Sequence, residues 1–219
     1  MLLKTIMRLP HFIFIMFALI QCGDNSFNHL QDNYPPEVFD TLFKAVKSSL
    51  LLQFKTNGQK EFRHIPYTAN DLGVFVRLIK KSRDRGCIGF IRGVSSLEEA
   101  VGIAAVDAAF FDPRFAPLTK DELPDIDVEI SIIDRLVPIA RYDDFQLGRH
   151  TMYIRHFNKD AVMQGQIALQ KNFTKEKFLE AICRKAKLDK DIYKKKETGI
   201  FRANTVYMRK RFSDINIDK

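Results

Sequence analysis

The stretch VFVRLIKKSRDRGCIGFI, residues 74–91, decides the fold. It begins and ends in apolar runs rich in β-branched and aromatic residues, which are typical of buried strands. The polar residues 83–86 between these runs favour a reversal of the chain. The stretch therefore predicts two strands, residues 74–79 and 87–91, that are joined by a turn and pair antiparallel.

Helical and strand patterns alternate irregularly on both sides of this hairpin. Residues 127–132 alternate with period two, 152–157 and 162–169 are weaker strand candidates, and 201–208 is the last predicted strand. Helices are predicted after Pro35-Pro36, from Ser95-Ser96 through Ala109, and from Thr174 through Ala186, the last two behind capping residues. Because no strict strand–helix–strand repeat appears, the pattern predicts an α+β fold with a mixed, mainly antiparallel sheet packed with helices.

Composition and charge exclude several classes of protein. Of 219 residues, 46% are apolar and 28% are charged, which excludes a wholly disordered chain, and three cysteines exclude a disulfide scaffold and a four-thiolate zinc site. The net charge of +8 comes entirely from residues 171–219. This basic part is interpreted as a solvated helix face and a charged tail, since it lacks the interleaved aromatic residues of a nucleic-acid-binding surface.

The N-terminus predicts a targeting segment. Residues 1–22 combine two early basic residues with an apolar run, 12–20, that is too short to span a bilayer as a helix. The run leads into Cys22, an arrangement similar to a bacterial lipobox, in which the cysteine is lipidated. Residues 23–35 would then be a tether, and the protein would be anchored to the cell envelope. A misassigned start or an uncleaved anchor is the alternative, and the former would make the protein cytoplasmic.

The block Arg85-Gly86-Cys87-Ile88-Gly89 is the first candidate site. Gly86 and Gly89 lack a Cβ atom, so another backbone or a ligand can approach Cys87 closely. On a strand, Arg85 and Cys87 would share one face, where the guanidinium could stabilise a thiolate or bind an anion. The alternative is a small structural cysteine, with the arginine paired to a carboxylate.

A second set of candidates lies on the strand 127–132 and after it. Glu129 and Ser131 share the face opposite Val128 and Ile130, and His150 opens a later strand. A cysteine, a histidine and a carboxylate that meet would supply a nucleophile, a base and an orienting group, or would suit zinc or iron. The spacing does not show that they meet, so no metal site is predicted, and His150 alone is also consistent with a strand-end histidine.

These motifs, taken in order, resemble the AMMECR family. The residues that carry the resemblance are the block 85–89, Asp112-Pro113-Arg114-Phe115, Glu129-Ile130-Ser131 and the helix containing Lys185-Ala186. It covers residues 36–208 and leaves 209–219 as a basic, polar tail. The resemblance implies an α+β fold with a larger and a smaller lobe, and an unassigned activity suspected to lie at the cysteine block. It also implies a link to Memo-type and radical-SAM proteins.

Two hypotheses about function follow. The first is a small-ligand or catalytic cleft, with Cys87, Arg85, Glu129 and His150 as catalytic residues. In it, Arg85, Gly86, Gly89 and Ser131 would contact the ligand, and no cofactor can be named. The second is a non-catalytic protein-interaction module that uses the same cleft.

Overall fold

A computed structural model of the chain describes residues 25–56, 72–93 and 96–217. The predicted signal peptide and Cys22 lie outside these residues. The helices are α1 (Asn25–Asn33), α2 (Pro36–Lys55), α3 (Leu97–Val106), α4 (Gln166–Gln170) and α5 (Lys175–Lys185). The strands are β1 (Gly73–Lys80), β2 (Arg83–Phe90), β3 (Ile126–Ile133), β4 (Val137–Pro138), β5 (His150–His156), β6 (Lys159–Met163) and β7 (Gly199–Arg211). A π-helical turn, Asp107–Phe111, continues α3, and 3₁₀ turns span Lys120–Asp125, Ile192–Lys194 and Phe212–Asp214.

One antiparallel sheet connects the whole structure. Its strand order is β2-β1-β3-β7-β5-β6, and the short β4 also pairs with β7. Strand β7 is long enough to serve two neighbours, since residues 199–204 pair with β5 and residues 205–211 pair with β3. The sheet curls, so that residues following β6 at one end reach β2 at the other. The predicted α+β class is confirmed.

Two apolar cores correspond to a larger and a smaller lobe. In the larger lobe, α2 and α3 cover one face of β1 and β3, where Val76, Leu78 and Ile130 are fully buried. In the smaller lobe, α5 packs on β5 and β6 through Phe178 and Ile182. The face of β1 and β3 turned away from α2 and α3 is also buried, but it carries charged side chains. Among the described residues, none of the helices combines the length and apolar character needed to cross a bilayer.

The structure differs from the predicted boundaries at both ends of the domain. Within the segment predicted to be a tether, residues 25–33 form α1, and its Leu30 is buried in the larger core. Within the predicted tail, β7 continues to Arg211, and Phe212 and Ile215 are buried after it. The sequence pattern predicted a domain that is too short at both ends, because each end contributes only one or two apolar side chains to the core among many polar ones.

Two predicted elements are also placed differently. The chain reverses at Lys81 and Ser82, both with positive φ (48° and 62°), so the residues 83–86 that were interpreted as a turn belong to β2. Strand β6 ends at Met163 rather than at residue 169, and α4 follows it. Both differences bear on the surroundings of Cys87, which are built from β2 and from the segment that leads into α4.

Candidate functional site at Cys87

Cys87 lies in the middle of the edge strand β2, at the junction of the two lobes. Its partner across the sheet is Arg77 of β1, and Arg77 in turn lies opposite Glu129 of β3. The register between β1 and β2 shifts after Leu78, where Ile79 pairs with Asp84, so that one residue of β2 is left without a partner. This irregularity determines which side chains share a face with Cys87.

Arg85 is the residue of β2 that has no partner at this bulge, and its guanidinium binds groups other than Cys87. Its guanidinium donates to both carboxylate oxygens of Glu122 (3.1 and 2.9 Å) and to the carbonyl oxygens of Ala116 and Pro117. These bonds hold the pKa of Glu122 well below its usual range, in spite of the opposing effect of burial. Arg85 therefore fastens the loop after α3 to β2, and the prediction that it shares a face with Cys87 is wrong because strand alternation breaks at the bulge.

Asp112 and Arg114 hold the backbone of Cys87 from the outer edge of β2. The N–H of Cys87 donates to Oδ2 of Asp112 (2.9 Å), and Nη2 of Arg114 donates to the Cys87 carbonyl (3.3 Å). Arg114 also binds Asp112 through Nε (2.9 Å) and Nη2 (2.6 Å). Burial alone would raise the pKa of Asp112, but the hydrogen bonds from Arg114 and Cys87 outweigh it and lower the pKa to about 2. The pair thus occupies backbone groups that an edge strand otherwise leaves open.

The glycines beside Cys87 serve packing between parts of the chain. A Cβ atom at Gly86 would overlap the carbonyl oxygen of Ala108 in the π-helical turn, and one at Gly89 would overlap the carbonyl oxygen of Val74 in β1. The sequence allowed either another backbone or a ligand to approach at these glycines. In the structure, backbone fills the space at both positions. These contacts set Cys87 at a fixed depth between β1 and the turn after α3.

A buried charge cluster lies behind Cys87, and we refer to Arg77, Glu129, Gln166, Gln170 and Arg209 as the Glu129 cluster. Glu129 is 1% exposed and accepts through Oε1 from Arg77 Nη1 (3.2 Å) and Gln166 Nε2 (3.2 Å). Its Oε2 accepts from Gln170 Nε2 (3.1 Å) and from Nε (3.1 Å) and Nη2 (2.5 Å) of Arg209. With both oxygens occupied, Glu129 acts as the centre of a structural network rather than as an available base.

Ser131 and His150 are both buried and engaged elsewhere. The Oγ of Ser131 accepts from Gln166 Nε2 (2.7 Å), next to the Glu129 cluster. The Nδ1 of His150 accepts from the backbone N–H of Gln146 (2.9 Å), at the start of β5. These contacts do not assemble the predicted nucleophile, base and carboxylate.

The smaller lobe contributes two side chains to the surroundings of Cys87. Gln164, between β6 and α4, is 2% exposed and directs Nε2 towards the Cys87 sulfur at 3.9 Å. Lys185, at the end of α5, is anchored by a bond from Nζ to the Val162 carbonyl (2.8 Å) and interacts electrostatically with Cys87 and Arg114. The site therefore has walls from both lobes, with the thiol between them.

Burial raises the pKa of the Cys87 thiol, and the charges of Lys185, Arg114 and Arg77 act in the opposite direction. Burial likewise lowers the pKa of Lys185. Burial thus opposes formation of the thiolate, and the three cationic side chains favour it. In residues 25–56, 72–93 and 96–217, no three histidine, cysteine, aspartate or glutamate side chains lie together as metal ligands.

The sequence interpretation gave no role to Arg77, Gln164 or Lys185. A signal for Arg77 was present, because it is the only charged residue in the apolar run 74–79. Gln164 carried no such signal, since its contact with Cys87 depends on the curl of the sheet. Lys185 was noted only as part of a motif on a helix.

Comparison with known proteins identifies relatives over most of the chain. The sequence profile of the AMMECR1 family matches residues 40–206. A protein from Methanothermobacter thermautotrophicus is 36% identical over 173 residues, which are 74% of this chain and 88% of the relative. One from Sulfolobus acidocaldarius is 31% identical over 180 residues, 77% of this chain and 79% of the relative. The crystal structure of the uncharacterised protein PH0010 from Pyrococcus horikoshii is similar, with a TM-score of 0.68, 25% identity and coverage of 77% of this chain and 89% of that one.

Proposed function

This chain belongs to the AMMECR1 family, and on that premise we propose that it binds a small anionic molecule at the Cys87 site. The observation that carries the proposal is the placement of a half-buried thiol among three cationic side chains from two lobes, Arg77, Arg114 and Lys185. Arg77 is already bound to Asp84 and Glu129, so its charge is balanced. Arg114 is likewise paired with Asp112, but its side chain is 49% exposed, and Lys185 binds a carbonyl oxygen through Nζ. These two side chains are the groups that an anion would meet.

Covalent chemistry at Cys87 is the catalytic extension of this proposal. Attack by Cys87 requires the thiolate, which burial disfavours in the free protein. The cations that attract a ligand also stabilise a thiolate, so binding and reactivity at this site would depend on the same two side chains. Replacing Cys87 with serine would abolish covalent attack on a bound ligand and leave the affinity for anions nearly unchanged.

A pair of alkylating reagents tests the proposal without knowledge of the natural ligand. Iodoacetate and iodoacetamide transfer groups of similar size to a thiol, and only iodoacetate is an anion. We expect the rate ratio of iodoacetate to iodoacetamide at Cys87 in the folded protein to exceed the ratio in urea-unfolded protein by about tenfold, since local positive potential concentrates anions. Peptide mapping by mass spectrometry distinguishes Cys87 from the fully buried Cys183, which reports any unfolding.

Charge variants provide the control for this measurement. Lys185→Met keeps the aliphatic stem and removes the ammonium, and it should lower the ratio at Cys87 towards that of the unfolded chain. Lys177→Met removes an exposed lysine of the same helix and should leave the ratio unchanged. Equal ratios in folded and unfolded wild-type protein would contradict the anion site.

A non-catalytic protein-interaction module is the second candidate function. Burial of the thiol favours it over the covalent extension, because burial disfavours the thiolate that attack requires. Under this alternative, Cys87 should resist both reagents until the protein unfolds. The two candidates therefore give opposite outcomes in one experiment.

We also propose that Cys22 is lipidated and anchors the domain to the cell envelope. Residues 23 and 24 alone separate Cys22 from α1, and Leu30 of that helix is part of the larger core. A lipid on Cys22 would therefore hold the domain directly against the membrane surface. Labelled palmitate should enter the protein expressed in a bacterial host and should be lost in Cys22→Ala, and label that persists in this variant would rule the anchor out.

A further inference from the structure

Gln164 is a buried side chain whose polar groups are only partly used. Its carboxamide nitrogen faces the Cys87 sulfur at 3.9 Å, while its Oε1, also buried, has no hydrogen-bond partner within the described part of the chain. A buried acceptor left without a donor is unfavourable, because it loses its hydrogen bonds to water and gains none in the protein. Because Oε1 and Nε2 share one carboxamide group, the unused acceptor lies beside the thiol.

The backbone around Gln164 is held by hydrogen bonds and close packing, and the side chain is 2% exposed. The Gln164 carbonyl accepts from the N–H of Ile167 (3.2 Å), and the Gly165 carbonyl accepts from Gly148 (3.1 Å). A Cβ atom at Gly165 would lie 2.5 Å from the His150 carbonyl oxygen, which shows how closely this segment packs on β5. The unused acceptor is therefore built into the site.

Gln166, two residues later, is the comparison within the same segment: its Oε1 is also buried without a hydrogen-bond partner in the described part of the chain, but its amide nitrogen is fully used. Its amide donates to both Glu129 and Ser131 and joins the Glu129 cluster. The amide nitrogen of Gln164 instead faces the sulfur of Cys87, at the distance of a weak hydrogen bond. The position of Gln164 suits recognition of a ligand beside the thiol.

We propose that Gln164 determines the specificity of this site, and that its ligand is a small anion that also carries a hydroxyl or N–H donor. The anionic group would meet Lys185 and Arg114, and the donor would satisfy Oε1 of Gln164. The inference rests on the anion site proposed above and adds the second half of the ligand's chemistry. A small hydroxy- or amino-carboxylate has both features.

Two acids that differ by one hydroxyl group test the inference. Lactate and propionate are used to protect Cys87 of the full-length protein from iodoacetamide, and the concentration that halves the alkylation rate is measured. Lactate should protect at a concentration about three- to tenfold lower, the effect of one net hydrogen bond. In Gln164→Met the two acids should protect equally, while Gln31→Leu, at an exposed glutamine of α1, should behave like wild type.

The outcomes separate this inference from the proposed function. If both acids protect wild-type Cys87 equally, the anion site stands and the role of Gln164 is overturned. If neither acid protects, both the anion site and the role of Gln164 are overturned. A preference for lactate that persists in Gln164→Met would assign the hydroxyl to another residue and overturn the inference. Because the two acids are compared first in wild-type protein, their difference in protection does not depend on the stability of the variant. In the variant, the fully buried Cys183 stays unalkylated as long as the protein is folded.

Discussion

Replacing Glu129 with glutamine should lower the free energy of unfolding by about 3–5 kcal/mol, the usual effect of removing one partner from a buried ion pair. Glu129 is 1% exposed and binds both Arg77 and Arg209. A glutamine of the same shape would leave the charge of Arg77 without its buried partner. It would also turn an N–H group towards donors that now meet an acceptor.

Urea denaturation of the variant and wild type measures this effect. Asp127→Asn is the matched control, because Asp127 lies on the same face of β3 and pairs with Arg211, and both members of that pair are partly exposed. Exposed pairs contribute about 0–1 kcal/mol, so the control should change stability little. A loss of less than about 1 kcal/mol in Glu129→Gln would show that the cluster does not hold the sheet together.

The sequence predicted most of the larger lobe because its strands follow simple alternation. Val128, Ile130 and Ile132 face α2 and α3, as the period-two pattern indicates. The same alternation places Glu129 on the opposite face, but it does not reveal that this face is covered. Burial of that face depends on α4 and on the smaller lobe, which come from a later part of the chain.

The basic run at the end of β7 shows the same limit. Interpreted as a solvated tail, it is in fact an alternating strand in which Arg209 and Arg211 face Glu129 and Asp127, while Lys210 faces α2 and pairs with Asp40. The carboxylates that bind Arg209 and Arg211 lie 80 or more residues earlier in the sequence, so the local pattern does not predict these pairs. Charge runs of this kind are resolved only when strand pairing is known.

The site itself could be predicted only in part. Cys87 was identified from its flanking glycines, and it is the residue around which both lobes meet. Arg85 was assigned to the wrong face because a single unpaired residue in β2 reverses the alternation. Gln164 was missed because its approach to Cys87 requires the curl of the whole sheet, which no local pattern encodes.

Replacing Gly86 with alanine should lower the free energy of unfolding by at least about 3 kcal/mol, at or beyond the upper end of ordinary overpacking. A Cβ atom at this position would overlap the carbonyl oxygen of Ala108, and its distance to the Ala108 carbonyl carbon would be 2.8 Å. Backbone atoms cannot rotate away as a side chain can. The π-helical turn or β2 would have to move, and Cys87 would move with it.

Gly199→Ala is the matched control for this prediction. There, the nearest atom to the new Cβ would be Cε2 of the Phe201 ring at 3.0 Å, which a small rotation of the ring relieves. The change should stay within about 1 kcal/mol of wild type, since alanine also reduces the entropy of the unfolded chain. Urea denaturation of both variants measures the difference. Similar stabilities would mean that the turn after α3 moves easily and that Gly86 does not fix the depth of Cys87.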